Sequence, residues 1–191
     1  FTIDNFKKYG FKKFNNSIFY KSKIIKNYFK KKKFDDLKIN YIEEKKPLGT
    51  AGSLALLNYK KIKNDVLVYN GDVITDLNIN NFLKFHYNTK SDITVCAKEF
   101  SNSSPFGEII FSGSKIRKIV EKPHNKNFIN AGIYLIKKKM LKNIQVKKID
   151  MTSFIDIKIK QGHHINIYPV YEYWVDVGRK ETFKQILKQR N

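Results

Sequence analysis

Short apolar runs alternate with amphipathic stretches along the whole chain. The run 65–69 has the apolar composition of a strand that is buried on both faces of a parallel sheet. The stretch 22–32 instead spaces its apolar residues at helical intervals, and 108–120 reads as a hairpin around a Ser-Gly-Ser turn. This alternation predicts an α/β fold: a Rossmann-like mixed, mostly parallel sheet with helices on both faces.

The individual elements follow from the same periodicity. The predicted helices cover residues 2–9, 22–32, 51–59, 151–160 and 180–189, with another around 79–86. The predicted strands lie within 13–20, 38–43, 65–69, 92–97, 131–136 and 164–168. An apolar strand that ends at Asp176 precedes the last helix. We expect one domain over residues 1–191, since this length suits a single core.

The charge is high but is carried almost entirely by lysine. The chain has formal net charge +21, and only Arg117, Arg179 and Arg190 are arginines among its 38 basic residues. Surfaces that bind nucleic acid usually rely on arginine for bidentate contacts, so solvated lysine faces are favoured over a polyanion-binding role. We therefore expect no nucleic-acid partner.

A single cysteine, Cys96, excludes an internal disulfide and suits a reducing compartment. No apolar run approaches the roughly 18 residues of a membrane span, and no signal peptide opens the chain, so we expect a cytoplasmic protein without a membrane partner.

Two segments suggest a ligand site at strand ends. Residues 44–53, Glu-Lys-Lys-Pro-Leu-Gly-Thr-Ala-Gly-Ser, follow a strand and open a helix. Their glycines and free N–H groups could hold a base or phosphate, or could simply cap a tightly packed helix. Residues 69–73, Tyr-Asn-Gly-Asp-Val, follow the 66–69 strand. Asp72 there could bind Mg²⁺, or the segment could be an ordinary turn.

Three later segments carry further polar candidates. Phe-Gly-Glu at 106–108 precedes Ile-Val-Glu-Lys-Pro at 119–123, where Glu121 can accept hydrogen bonds from sugar hydroxyls and Lys122 offers a charge to a phosphate. Asn130 lies in Asn-Ala-Gly-Ile-Tyr and could contact a polar ligand. Asp176 lies in Tyr-Trp-Val-Asp-Val-Gly-Arg and could form a two-carboxylate metal clamp with Asp72. Each of these residues also has an ordinary structural explanation.

Taken together, the order of these motifs resembles the sugar-phosphate nucleotidyltransferases, the nucleoside-diphosphate-sugar pyrophosphorylases. The resemblance runs from about residue 1 to residue 188 and is greatest to a bacterial branch that often carries CBS domains and serves cell-surface polysaccharide biosynthesis. It implies transfer of a nucleoside monophosphate from a nucleoside triphosphate to a sugar 1-phosphate, with Mg²⁺ as cofactor. The resemblance does not identify the base or the sugar, although it weakly favours guanosine and an amino sugar or heptose. It is compatible with a homo-oligomer.

The resemblance also implies a role for each motif. Asp72 and Asp176 would hold Mg²⁺, and Lys122 would bind the sugar 1-phosphate. The residues expected to line the nucleotide pocket are Glu44, Gly49, Thr50, Ala51 and Gly52. The residues expected to contact the sugar are Gly107, Glu121 and Asn130.

One family feature has no counterpart in this sequence. Family members begin with a strand and a G-G-x-G-T-R-L loop that cradles the triphosphate, and neither is present here. We therefore expect a fold whose first βα unit is missing and a chain that alone has little or no activity, since loss of even one cationic donor costs about 10²–10³ in rate. The alternative is a non-catalytic domain that binds or senses sugar nucleotides.

Overall fold

The computed structural model describes residues 2–32, 34, 36–178 and 182. Its five α-helices within those residues are α1 (Thr2–Lys8), α2 (Ser22–Lys31), α3 (Gly49–Gly52), α4 (Ile79–Asn88) and α5 (Met151–Lys160). Its ten strands are β1 (Lys13–Ile18), β2 (Lys38–Glu43), β3 (Val66–Tyr69), β4 (Val73–Thr75), β5 (Ile93–Ser103), β6 (Glu108–Ser112), β7 (Lys115–Val120), β8 (His124–Ile136), β9 (Ile165–Val170) and β10 (Trp174–Asp176). Short 3₁₀ helices cover Ser53–Leu56, Tyr59–Lys61 and Lys138–Leu141.

The largest sheet has four strands in the order β3-β8-β5-β9. β5 is parallel to β9, and β8 is antiparallel to both β3 and β5. Three strands therefore run in one direction and β8 opposes them, as expected for a mixed sheet. β5 and β8 are long strands whose paired outer halves, 98–103 and 124–129, extend beyond the core and carry mostly exposed residues.

Three further two-stranded ladders complete the strand pairing of the described residues. β1 and β2 pair in parallel and flank α2, which gives a βαβ unit. β4 pairs antiparallel with β10, and β6 with β7 as a hairpin. Between β1 and β3 the structure contains no hydrogen-bonded ladder, within the part of the chain that it describes.

The core lies on both faces of the four-stranded sheet, because successive residues of β8 point to opposite sides. Ile133 and Leu135 pack with Phe6 of α1 and Phe82 of α4 on one face. On the other face, the neighbouring β8 residues pack against α3 and α5; this cluster includes Ala51, Tyr134, Ile136, Met151 and Phe154. Helices therefore cover both faces, which confirms the expected α/β class.

Several elements differ from the sequence-based prediction. The predicted helix 51–59 is the short α3 followed by 3₁₀ turns, and β5 and β8 are much longer than 92–97 and 131–136. The run 65–69 was expected to be buried on both faces of a parallel sheet. This was wrong: the four β3 residues are only half-buried, and among the residues that the structure describes β3 pairs only with the antiparallel β8. The predicted helix 180–189 falls outside the described residues.

Membrane-spanning helices are not found in the described part of the chain, where every helix is too short or too polar to cross a bilayer.

Candidate active site

Two carboxylates meet where β4 pairs with β10. Asp72 immediately precedes β4, Asp176 ends β10, and the ladder places Asp176 opposite Val73. The Val177 N–H donates to the backbone oxygen of Asp72 over 2.7 Å and extends this pairing by one residue. Two aspartates about a hundred residues apart in sequence are therefore held side by side by backbone hydrogen bonds.

Gly178 lies against both carboxyl groups. Its N–H donates to Asp176 Oδ1 over 2.7 Å. A Cβ atom built on Gly178 would lie 3.0 Å from Asp176 Oδ1 and 3.1 Å from Asp72 Oδ2. The two oxygens therefore flank one small volume. Both aspartates are exposed, so an ion or a phosphate can reach this volume from solvent.

The carboxylate pair suits a magnesium ion. Two carboxylates that flank one volume can both ligate a divalent cation, which offsets their like charge. Mg²⁺ is commonly bound by one or two carboxylates together with water and substrate phosphates. The described residues include no group of three or more His, Cys, Asp or Glu side chains that could hold a metal. Phosphate and water oxygens would therefore have to complete the coordination at Asp72 and Asp176.

The turn before Asp72 rests on β8. The Asn70 N–H donates to Gly132 O over 2.9 Å, and a Cβ on Gly132 would lie 2.8 Å from Asn70 Nδ2. Gly132 also has a φ of +73°, which side chains disfavour. Glycine at this position therefore permits the close approach that fixes the turn presenting Asp72.

Asn130 lies two residues from this contact, and both ends of its side chain are already bonded. Its Oδ1 accepts from the Gly132 N–H over 3.0 Å, and its Nδ2 donates to Tyr134 Oη over 2.7 Å. The Trp174 indole N–H donates to Ala131 O, which ties β10 to the same part of β8. Asn130 is therefore held in one orientation beside the turns that carry the two aspartates.

Glu44 organises the start of the predicted nucleotide loop. Its Oε2 accepts from the Leu48 N–H over 2.8 Å, and its Oε1 accepts from Ser17 Oγ over 2.6 Å. Thr50 Oγ1 accepts from the Met151 N–H over 2.8 Å. These bonds connect the loop to the end of β1 and to the start of α5.

The glycines of this loop pack against backbone. The Ala51 and Gly52 N–H groups both donate to Ile149 O, so they are not the free donors that the sequence suggested. A Cβ on Gly49, whose φ is +74°, would lie 2.6 Å from Asp150 Oδ1 and 2.7 Å from Ile149 O. The close packing expected of a capped helix is therefore present, and the role of the loop in nucleotide binding stays a prediction.

The remaining candidates lie at the base of the β6–β7 hairpin. A Cβ on Gly107 would lie 3.1 Å from Glu121 Oε2, so the Phe-Gly-Glu and Glu-Lys-Pro segments meet. Glu121 and Lys122 are exposed. Lys122 has a φ of +44°, a conformation that costs a non-glycine residue about 1–3 kcal/mol and is often found at functional sites.

Burial raises the pKa of Tyr69 and Tyr134, which lie within these motifs, whereas the perturbed carboxylate of Asp92 lies away from them. Asp92 is at the amino end of β5, whereas Asp72 follows the carboxyl end of β3, which runs in the same direction. Burial alone would raise the pKa of Asp92, but hydrogen bonds from Lys139, the His164 N–H and Lys137 lower it to about 2. His163 Nδ1 is 3.3 Å from the same carboxylate. Burial raises the pKa of the Cys96 thiol well above its ordinary value, which suits its place as a buried apolar residue.

The structure thus groups the candidates into local clusters. Asp72 and Asp176 are adjacent. Asn130 is bonded to Gly132, the residue on which the turn before Asp72 rests, and Gly107 lies against Glu121. Gly178 was not predicted as a site residue, although its position two residues after Asp176 was a usable signal. Nor was β4 predicted, because a three-residue strand is too short to show a period.

Comparisons with known proteins agree on one family. The family model described as "Nucleotidyl transferase" matches residues 1–190. The mannose-1-phosphate guanylyltransferase catalytic subunit beta of Danio rerio is 31% identical over 153 residues, covering 77% of this chain and 42% of that protein. Mannose-1-phosphate guanylyltransferase 1 of Arabidopsis thaliana is 31% identical over 157 residues, 78% of this chain and 43% of that protein. The chain thus spans less than half the length of these curated relatives.

A solved structure shares the fold over nearly the whole chain. HddC from Yersinia pseudotuberculosis superposes with a TM-score of 0.76 at 22% identity, covering 99% of this chain and 83% of that one. The same protein has been solved complexed with GMP-PN.

Proposed function

The chain belongs to the nucleotidyl transferase family, and from this premise we propose that it carries the site at which a nucleoside monophosphate passes from a nucleoside triphosphate to a sugar 1-phosphate. The observation that carries the proposal is the convergence of Asp72 and Asp176 around Gly178. Two exposed carboxylates at strand ends are what a Mg²⁺-dependent phosphate reaction needs, and a purely structural turn does not require them.

In the proposed reaction an oxygen of the sugar 1-phosphate attacks the α-phosphorus of the triphosphate. A new phosphorus–oxygen bond forms to the sugar phosphate, and the bond to the β-phosphate oxygen breaks, so that pyrophosphate leaves. Both reactants are anions, and no covalent enzyme intermediate is needed. The protein therefore has to position the two phosphates and offset their mutual repulsion.

Each cluster of the site has a task in this scheme. Asp72 and Asp176 would hold Mg²⁺, which supplies positive charge to the phosphate oxygens when bound. Lys122, exposed at the base of the hairpin, would bind the sugar 1-phosphate, and the neighbouring Glu121 would accept hydrogen bonds from sugar hydroxyls. Asn130 is already held by Gly132 and Tyr134, so little side-chain entropy would be lost when it contacts the sugar.

The nucleotide would bind at the loop that follows Glu44, with Gly49, Thr50, Ala51 and Gly52 forming its wall. Two of these N–H groups already bond to Ile149. The loop would therefore contribute shape and close backbone approach more than phosphate binding.

The names of the relatives suggest which nucleotide and which class of sugar phosphate this chain would bind. Two of them are named mannose-1-phosphate guanylyltransferases, and HddC from Yersinia pseudotuberculosis was solved with GMP-PN. We propose GTP and a mannose-type hexose or heptose 1-phosphate as substrates. The product would be a cytoplasmic GDP-sugar for surface glycans.

The test is Mg²⁺-dependent binding of GTP by the 191-residue chain, measured by calorimetry. Asp72→Asn and Asp176→Asn should each weaken binding by at least about tenfold, since even indirect supports of a metal ligand are worth about 10–100-fold. Asp156→Asn, on the exposed side of α5, is the matched control and should bind like the parent. GTP affinity that is independent of Mg²⁺, or unchanged in both site variants, would contradict the proposal.

A coupled measurement separates catalysis from binding alone. Pyrophosphate release is followed with GTP, Mg²⁺ and mannose 1-phosphate. Mg²⁺-dependent GTP binding with little or no release is expected of the 191-residue chain, because its sequence has no G-G-x-G-T-R-L loop; robust release would contradict that expectation.

A further inference from the structure

The hairpin formed by β6 and β7 stands exposed on the surface. Every residue of β6 is exposed, and so is every residue of β7 except the half-buried Val120. Among the described residues, the two strands pair only with each other. A two-stranded hairpin alone is marginally stable in water and usually packs an apolar face against another element. The strand register shows which face is available for such packing.

That register assigns four large apolar residues to one face. Residues directly opposite each other in an antiparallel ladder point to the same side, and successive residues alternate. Ile109 is opposite Ile119, and Phe111 is opposite Ile116. Because Ile109 and Phe111 are two residues apart in β6, both pairs lie on the same side. We name these four residues the hairpin face.

A bulge in β7 brings these residues together. Ile116 and Ile119 are three residues apart, so a regular strand would place them on opposite sides. The register shifts between Ile110 and Phe111, and Arg117 has no partner in the ladder. This extra residue returns Ile116 to the side of Ile119. The ladder is therefore interrupted at the one point that gathers the apolar side chains on one side.

The hairpin face is exposed to solvent. The exposed fractions of its four residues lie between 54% and 68%. Roughly 100 Å² of each side chain is thus available to be covered. Contiguous apolar patches of several hundred Å² on soluble proteins often mark interaction sites. The hairpin face is therefore large enough to be an interface.

The charged residues of the same ladder lie on the other side of the hairpin. Glu108, Lys115 and Lys118 are opposite uncharged residues that alternate with the hairpin face. A lipid surface is bound by apolar side chains with basic residues beside them, and an acidic protein by basic residues on the contacting surface. An uncharged apolar face instead fits another uncharged apolar face. A second copy of this chain offers one of the same length and spacing.

We propose that the hairpin face is the contact between two copies of this chain in a twofold-symmetric dimer. In such a contact the same patch faces itself, so that each copy covers the apolar side chains of the other. The two hairpins would stack about 10 Å apart, with their side chains interdigitated. The four residues from each copy would bury roughly 800 Å² in total, which is at the low end of biological interfaces. The dimer should therefore be reversible, with a Kd on the order of 10 μM.

The net charge of the chain gives this dimer a distinctive salt dependence. Each copy carries a formal net charge of +21, so two copies repel each other. Salt screens that repulsion and leaves the apolar contact in place. The dimer should therefore become tighter as NaCl is raised from about 50 to about 500 mM. Binding to an anionic lipid or to an acidic protein would become weaker over the same range.

The experiment is sedimentation velocity of the 191-residue chain over about 1–200 μM. Ile109→Glu is the test variant, and Ile110→Glu is its matched control. The two residues are adjacent and have the same side chain, and they are 54% and 52% exposed, but they lie on opposite sides of the hairpin. Circular dichroism checks that each variant is folded. No nucleotide or metal is present, so the result is independent of the proposed catalytic function.

The expected result is a concentration-dependent dimer whose Kd rises at least about tenfold in Ile109→Glu and stays within about twofold of the parent in Ile110→Glu. Ile116→Glu, on the other strand of the hairpin face, should act like Ile109→Glu and replaces it if that variant does not fold.

Three outcomes would overturn the proposal. The parent chain could stay monomeric over the whole range, Ile110→Glu could weaken the dimer as much as Ile109→Glu, or salt could weaken the dimer. A monomeric parent that sediments with vesicles of phosphatidylglycerol, and loses this binding in Ile109→Glu, would show that a lipid surface covers the hairpin face instead.

Discussion

The substitution Gly52→Ala distinguishes a packing role from a ligand-binding role for the glycine loop. A Cβ at this position would collide with Lys147 O and lie 3.1 Å from Leu48 Cβ. Neither neighbour is the free end of a flexible side chain, so the backbone of 147–149 has to shift. Overpacking of this kind costs about 1–3 kcal/mol.

Part of that cost is offset. Gly52 has a helical φ of −64°, and alanine is better than glycine in helical backbone by roughly 0.5–1 kcal/mol. The net loss in the free energy of unfolding should therefore be about 1–2 kcal/mol. For a domain of this size, each kcal/mol lowers Tm by about 2–4 °C. We expect Gly52→Ala to melt about 2–8 °C below the parent without any ligand.

The assay is thermal unfolding followed by circular dichroism, with Gly71→Ala as the matched control. A Cβ on Gly71 would meet no atom within 4 Å, so this variant should melt close to the parent. The packing explanation fails if Gly52→Ala melts with the parent while its affinity for GTP drops, because the glycine would then serve the ligand.

Three further outcomes are expected. Gly178→Ala should weaken Mg²⁺-dependent GTP binding while Tm changes little, since the new methyl group crowds only exposed carboxylates that can rotate; calorimetry and a melting curve check both. Burial lowers the pKa of His86 below its ordinary value, so the folded state resists protonation that the unfolded state accepts. The free energy of unfolding should then fall as pH drops below about 6.5, by up to about 1.4 kcal/mol per pH unit. Urea titrations should show a smaller loss of this free energy in His86→Gln than in the parent. Lys122→Gly should raise the free energy of unfolding by about 1 kcal/mol by relieving the positive φ, yet weaken binding of a sugar 1-phosphate.

Local periodicity predicted the helices and strands whose apolar and polar residues lie on separate faces. The helix expected at 151–160 is α5, and the strand expected at 38–43 is β2. The outer halves of β5 and β8 could not be predicted. Residues 98–103 and 124–129 are mostly exposed and pair with each other, so no apolar alternation marks them.

The sequence alone identifies which polar residues follow strands, but it does not show which of them lie close together in the fold. Asp72 and Asp176 each follow an apolar run, which the sequence displays. Their adjacency depends on the β4–β10 ladder, whose strands are about a hundred residues apart and three residues long. Likewise, the N–H groups of Ala51 and Gly52 appeared free because their acceptor, Ile149, lies far along the chain.

Iron-catalysed backbone cleavage would show directly whether one divalent ion lies between the two aspartates. Fe²⁺ replaces Mg²⁺ in the presence of GTP, and ascorbate with peroxide then cuts the chain next to the metal. A shared ion predicts paired cuts next to Asp72 and next to Asp176, both suppressed by excess Mg²⁺ and both absent in Asp72→Asn. Cuts at only one of these segments, or cuts elsewhere that Mg²⁺ does not suppress, would contradict a shared ion between the two aspartates.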